Sequence, residues 1–344
     1  MQQQRFLELD ALRGFAAILV VLFHCVMSAE LWHSVFLLGT AGVDLFFMIS
    51  GFVILLSIQN VSGAKQFIVN RFSRLYPTYW TVVSFTFLLI IVMILLGYSR
   101  AHIDLVQYLA NLTMFQYYFN IHNLDGPYWT MIIEMLFYIF ILILYRFNWL
   151  QHLAIIGLVL SVSTSLLCNY FFHLSYVAVI MQQCPLLPFL PLFIAGSLFY
   201  KLHTTRTHMV YNYVLIVILM LCQISLFRFA GRSNYYISLQ QYSILLGCFF
   251  LLFVLFLHGK LRWIVNPVSL FLGKISYALY LVHQYITLVI ILPFFIDYVG
   301  LSFWVTVVCI ALPILVALAA IITYCIEVPL SRKLKRVMNY DFPR

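Results

Sequence analysis

The chain predicts an all-α, polytopic integral membrane protein of about ten transmembrane helices, with the N- and C-termini cytoplasmic. Three observations predict it. The 344 residues are 65% hydrophobic and 8% charged, whereas a soluble domain carries about 25% charged residues. The apolar residues gather into runs close to the ~20 residues that a helix needs to cross a bilayer: 9–29, 36–58, 76–97, 128–147, 153–172, 185–200, 210–228, 238–257, 270–292 and 303–326. The basic residues between the runs are unevenly divided. With the N-terminus inside, the inner segments hold fourteen Lys and Arg, and the outer ones hold only Arg100, Arg228 and Arg232. That bias keeps the richer side in the cytoplasm.

The same distribution explains the net charge of +9 as topology, with no nucleic acid as partner. The first run starts near residue 9, is too long for a signal-peptide core and lacks a small-residue cleavage site, so no leader is expected. The seven cysteines have no paired spacing and most lie inside apolar runs, as packing thiols do. No repeat or separate soluble domain is visible; residues 1–330 read as one transmembrane domain and 331–344 as a short basic cytoplasmic tail. No metal-ligand spacing is present, and the oligomeric state is not encoded in any pattern found. The prolines at 185, 188 and 191 predict a kinked entry to the sixth span.

Taken in order, the spans carry a few ionisable residues, which are costly in a bilayer unless they face protein or water. The first span holds Arg13 and His24, eleven residues apart. On a helix that is about three turns, so both lie on nearly one face, roughly 16 Å apart. A snorkelling Arg13 and a hydrogen-bonded interior His24 would each be ordinary alone; on one stripe they point to a lined cavity. The second span holds Asp44, roughly 12 Å below its outer end, and His24 lies roughly 8 Å below its own. A carboxylate near an imidazole favours its cation or fixes one tautomer. Ser50-Gly51 reads as a close-packing spot.

Before the third span, Arg71 and Arg74 are three apart and share a helix face. They suit topology and lipid headgroups, or a phosphate clamp. The fourth span opens Gly126-Pro127-Tyr128-Trp129-Thr130 and holds Glu134 at roughly 9 Å depth; the ninth holds His283 at roughly 13 Å. Glu327 closes the tenth, beside the basic tail, where Arg332 or another inside arginine is a candidate partner. Four ionisable side chains from four spans therefore fall in one layer, with the arginines on the cytoplasmic side.

These pieces carry a resemblance. Leu9-Asp10-Ala11-Leu12-Arg13-Gly14-Phe15-Ala16-Ala17 with His24, Gly42-Val43-Asp44-Leu45-Phe46-Phe47 with Ser50-Gly51-Phe52, Arg71-Phe72-Ser73-Arg74-Leu75-Tyr76-Pro77, Tyr128-Trp129-Thr130 with Glu134, and Ile275-Ser276-Tyr277-Ala278-Leu279-Tyr280-Leu281-Val282-His283 occur in this order. Together the chain resembles the acyltransferase-3 family of bacterial integral-membrane O-acyltransferases, of the O-antigen, exopolysaccharide and Nod-factor acetylase type. The resemblance implies a ten-helix domain in the bacterial inner membrane. It would take an acyl group, most often acetyl, from cytoplasmic acetyl-CoA or another acyl-CoA, and pass it to a hydroxyl of a carbohydrate or glycolipid. Some members carry an extracytoplasmic esterase-like domain, and none is expected here after the last span.

On that basis Arg71, Arg74 and Arg13 suit the donor phosphates. His24 is the general base or a transient acyl carrier, and Asp44 or Glu134 orients it, stabilises its cation or contacts the acceptor. Tyr128, Trp129 and His283 are acceptor-binding candidates, although a membrane-interface belt also accounts for the aromatic pair. A different class also fits buried Asp, Glu and His: a proton-coupled transporter or a flippase for a lipid-linked sugar. That class predicts inverted repeats, and none is apparent.

Overall fold

A computed structural model describes residues 6–98, 102–205, 208–231 and 233–338. The topological charges Arg5, Arg100, Arg206, Arg232 and Arg344, and the end of the expected tail, lie outside the described residues. Among those described, the chain is mostly helical and has no strand. The helices are α1 (Leu7–Ser28), α2 (Gly42–Gln59), α3 (Ala64–Leu95), α4 (Leu105–Leu112), α5 (Trp129–Arg146), α6 (Leu153–Phe171), α7 (Ser175–Gln183), α8 (Leu190–Thr205), α9 (Met209–Ser225), α10 (Leu239–Leu257), α11 (Pro267–Tyr298) and α12 (Phe303–Met338).

Each of the ten expected runs has its helix. Among the described residues, eight helical stretches are long and apolar enough to span a bilayer. The α7–α8 pair, bent by 77°, makes a ninth, and α9 is apolar but has 17 residues. The bend falls at Pro185, where the sequence places the kink.

Three departures from the sequence reading have local causes. The third helix starts at Ala64, ahead of the apolar span expected from 76, because α3 continues through Pro77 and takes in the whole Arg71–Arg74 segment. Polar residues there lower the hydropathy without breaking the helix. The long 98–127 connection contains α4, capped by Asp104, whose side chain accepts the N–H of Gln107 at 2.6 Å. And α11 and α12 contain π-helical stretches at Ile286–Ile291, Pro293–Tyr298, Thr306–Ala311 and Ile322–Glu327. All but Pro293–Tyr298 end two residues before a proline: Pro293, Pro313 and Pro329. Proline lacks an N–H and its ring clashes with the carbonyl four residues back, so the turn before it widens.

The chain divides into two compact units. The first comprises the described parts of Met1–Ala64 and Ile133–Gly273, the second those of Lys65–Ile132 and Lys274–Arg344. In the first unit α2 and α8 cross closely. A Cβ on Gly51 would sit 2.0 Å from the Phe193 carbonyl oxygen, and one on Gly196 would sit 1.9 Å from that of Met48. Ser197 seals the crossing by donating to the Gly51 and Phe193 carbonyls, each at 3.0 Å. Phe193 stacks between Phe47 (4.8 Å) and Phe137 (4.3 Å). Water drives no association between helices in lipid, so backbone contact through small residues and buried hydrogen bonds must do so. In the second unit, α4 lies against α3. Trp80 Nε1 donates to the Leu112 carbonyl at 2.9 Å, and the Tyr76 hydroxyl to that of Thr113 at 3.1 Å.

The α2–α8 crossing can be tested by adding one methyl group. Gly196→Ala should lower the melting temperature and the yield of folded protein, by an overpacking cost of about 1–3 kcal/mol. Gly247→Ala, whose added Cβ meets nothing within 4 Å, should melt as the wild type does.

Candidate functional site

In the first unit, α1 is one unbroken helix, so Arg13 and His24 share a stripe along it. Both are half-buried. His24 sits one turn before the helix end, with its ring 4.8 Å from that of Phe23. The 3-10 turn Val35–Ala41 leads into α2, which puts Asp44 in the helix's first turn, where a carboxylate complements the positive end of the dipole. Asp44 is buried, and its side chain is hydrogen-bonded to Tyr242 of α10. Gln223 of α9 donates to the Tyr242 hydroxyl oxygen at 3.2 Å, and both are fully enclosed. The Tyr242 hydroxyl thus accepts from Gln223 and donates to Asp44, a relay that fixes the carboxylate from two other helices.

Glu134, half-buried on α5, is held differently. Ser50 donates to its Oε1 at 3.1 Å, and the Tyr138 hydroxyl, one turn on along α5, donates to the same oxygen. Ser50 is therefore a polar partner rather than only a spacer, while Gly51 beside it serves packing as the sequence suggests.

The remaining candidates belong to the second unit. Arg71 is buried on α3, with its guanidinium 5.7 Å from the Phe67 ring centre, and Arg74 is half-buried one turn on. Lys335 of α12 feels the charges of both arginines, so three cations gather in a chain with ten acids. Lys335 escaped the sequence reading because the basic tail already explained it. Glu327, expected beside Arg332, accepts a hydrogen bond from Thr78 of α3 at 3.2 Å.

Tyr128 is fully enclosed. Its hydroxyl lies 3.1 Å from that of Thr86, and its ring packs on Tyr79 at 5.4 Å. Trp129 is about one-third exposed. His283 is fully buried, and its Nδ1 lies 2.7 Å from the Tyr280 carbonyl. A carbonyl only accepts, so that nitrogen carries the proton and Nε2 bears the lone pair in the neutral ring. Tyr280 in turn donates toward Pro127 O (3.3 Å) and Thr130 Oγ1 (3.1 Å), tying α11 to the start of α5.

Asp125 went unnoticed in the sequence. It is buried and accepts the N–H of Gly126 at 2.7 Å and of Tyr285 at 3.2 Å. Burial pushes its carboxyl up to about 7, with the two backbone N–H groups opposing the rise. The only signal for it was an Asp before Gly-Pro, an ordinary turn start. Among the described residues, no group of three or more His, Cys, Asp and Glu is placed to hold a metal ion.

A family model described as an acyltransferase domain, the third of that name, matches residues 6–324. The chain is also similar to ORF330 of Acidianus two-tailed virus, which is provisionally named an acetyltransferase. The two are 25% identical over 295 residues, which covers 82% of this chain and 84% of the relative. No solved structure matches the chain.

The raised Asp125 carboxyl has a consequence for stability. Between the ordinary carboxylate range near 4 and about 7, the folded protein holds a proton that the unfolded chain has released, so stability falls as pH rises through that window. The melting temperature in detergent should therefore drop from pH 5 to pH 8. In Asp125→Asn, which keeps an acceptor for the Gly126 N–H, that drop should shrink. An unchanged slope would assign the titration to another group.

Proposed function

The chain belongs to the acyltransferase-3 family and is a membrane acyltransferase; on that premise we propose that it moves an acetyl group from cytoplasmic acetyl-CoA to a hydroxyl of a cell-surface carbohydrate or its lipid-linked precursor. The observation that carries the donor part is the cluster of Arg71, Arg74 and Lys335. Three cations that feel one another's charge attract an anion. Guanidinium forks match phosphate oxygens, and acyl-CoA is rich in them.

His24 performs the transfer in one of two ways. As a base, its ring nitrogen takes the proton of the acceptor hydroxyl while the oxygen attacks the thioester carbon. The carbon–sulfur bond then breaks, and the imidazolium returns the proton to the leaving thiolate. As a carrier, the nitrogen attacks the thioester carbon and the carbon–sulfur bond breaks to release the thiolate; the acceptor oxygen then attacks the acyl carbon, the carbon–nitrogen bond breaks to free the neutral imidazole, and the hydroxyl proton passes to the thiolate. Arg13, on the same stripe of α1, steers the donor arm along the helix toward His24. Asp44, fixed by Tyr242 and Gln223, and Glu134, fixed by Ser50 and Tyr138, supply carboxylates of set orientation to steady the imidazole or its cation. Tyr128, Trp129 and His283 belong to the acceptor's side of the reaction, with Trp129 offering the exposed ring face. Both chain ends lie on the donor side of a bacterial inner membrane, as the basic segments suggest.

The donor assignment is open to direct test. In Arg71→Lys and in Lys335→Ala, KM and Kd for acetyl-CoA should rise about tenfold or more, as expected for a lost charge-assisted bond, with kcat less affected. Wild-type values in both would leave these cations to topology and lipid. In sealed vesicles, a cysteine at 335 should label from the face that consumes acetyl-CoA, and one at 120 from the opposite face.

A further inference from the structure

The first unit contains a cavity of about 520 Å³ where α1 and α9 begin and α8 and α10 end. Its wall is aromatic. Phe6 lies edge-on to His203 (5.1 Å) and to Phe256 (5.7 Å), and the His203 ring lies nearly parallel to that of Phe256 at 5.6 Å. Its rim is polar: Arg262, His258 and Glu8 all line it. Glu8 precedes His24 by sixteen residues of one helix, roughly 24 Å, so the cavity is not part of the catalytic layer. Four helix ends and the exposed Trp263 beside Arg262 set it at the membrane–water boundary.

The lining selects a ligand class. Arg262 presents a fork that suits phosphate, and His258 adds a second donor. Glu8 repels a bare anion but accepts from an amine or hydroxyl. The ring wall needs an organic body to cover it, and the volume lies in the range of small-ligand pockets, about 300–1,000 Å³. We propose that this cavity binds a phosphate ester that bears a hydrogen-bond donor and an apolar or aromatic body. Two sources carry that chemistry at this level of the membrane. One is an amine-bearing phospholipid headgroup. The other is the nucleotide end of acyl-CoA, and this arm alone rests on the donor reading above.

The test is native mass spectrometry on the purified full chain, titrated separately with phosphatidylethanolamine, coenzyme A and sodium phosphate. The variants are Arg262→Ser combined with His258→Ala, and Glu8→Gln. Both Arg262 and His258 are exposed, so the double variant should melt as the wild type does. The wild type should retain one of the two organic probes, and the double variant should bind that probe about tenfold or more weakly. Photo-crosslinks from the retained probe should fall within residues 208–213 or 256–262. Loss of coenzyme A in the variant identifies the nucleotide, and loss of phosphatidylethanolamine with coenzyme A unchanged identifies the lipid. The proposal is overturned if the wild type retains neither organic probe, if sodium phosphate binds as tightly as they do, or if the variants bind both as the wild type does. Wild-type binding of coenzyme A that survives every cavity variant would leave the donor reading intact. Absence of any coenzyme A binding would remove that reading and leave the lipid arm to stand or fall on phosphatidylethanolamine alone.

Discussion

An ionisable side chain on a lipid-depth helix must be matched by polar groups, because the bilayer core offers none. That constraint runs through the whole chain. Asp44 is matched by Tyr242 and, behind it, Gln223. Glu134 is matched by Ser50 and Tyr138, and Glu327 by Thr78. Lys274 rests over the Tyr324 ring at 4.0 Å. Each match but one joins separate helices, so the charges specify which helices pack together, and glycines at 51 and 196 let the backbones come close enough. The exception is Tyr138, which lies on the helix of Glu134 and fixes the carboxylate locally. A membrane protein has few other means of selecting one helix arrangement among many equally apolar ones.

This also explains what could and could not be read from the sequence. Helix count and placement were legible because apolar runs of the right length have few other meanings in a chain with 8% charge. The acids, His24 and the arginines stood out for the same reason, since each is rare in its surroundings. Their partners were not legible. Tyr242 is one of 23 tyrosines, and nothing in its neighbourhood marks it apart from the rest. Ser50 was read with Gly51 as a spacer because both are small, and only the approach of α5 separates their roles. Asp125 was hidden by its turn, and Lys335 by a tail whose charge already had a use. The full length of α3 was not legible, because hydropathy reports apolarity rather than helicity, and the arginine-bearing turn is helical but polar.

The family match covers residues 6–324 and so embraces nearly every helix described. It gives the reaction class, while the side chains give that class its physical content. On α1 an arginine and a histidine lie on one stripe of an unbroken helix. On α2 and α5 each carboxylate is oriented by at least one hydroxyl. On α3 and α12, Lys335 feels the charges of Arg71 and Arg74. A general base is typically worth about 10²–10⁴-fold in rate, and an obligatory covalent carrier is worth nearly all of it. In the proposed mechanism His24 therefore makes a quantitative difference that the supporting residues do not.

The most direct measurement is acetyl transfer by His24→Ala, reconstituted in lipid nanodiscs with acetyl-CoA and a surface-glycan extract, alongside mass spectrometry of α1 after rapid quenching. Folding should be retained, since removing an ionisable group from a lipid-depth helix lowers its insertion cost. Transfer should fall by about 10²-fold or more, and in the wild type an acetyl group found on His24 would select the carrier route over the base. A His24→Ala protein that transfers acetyl at close to the wild-type rate would contradict the assignment of His24 as the group that carries the reaction.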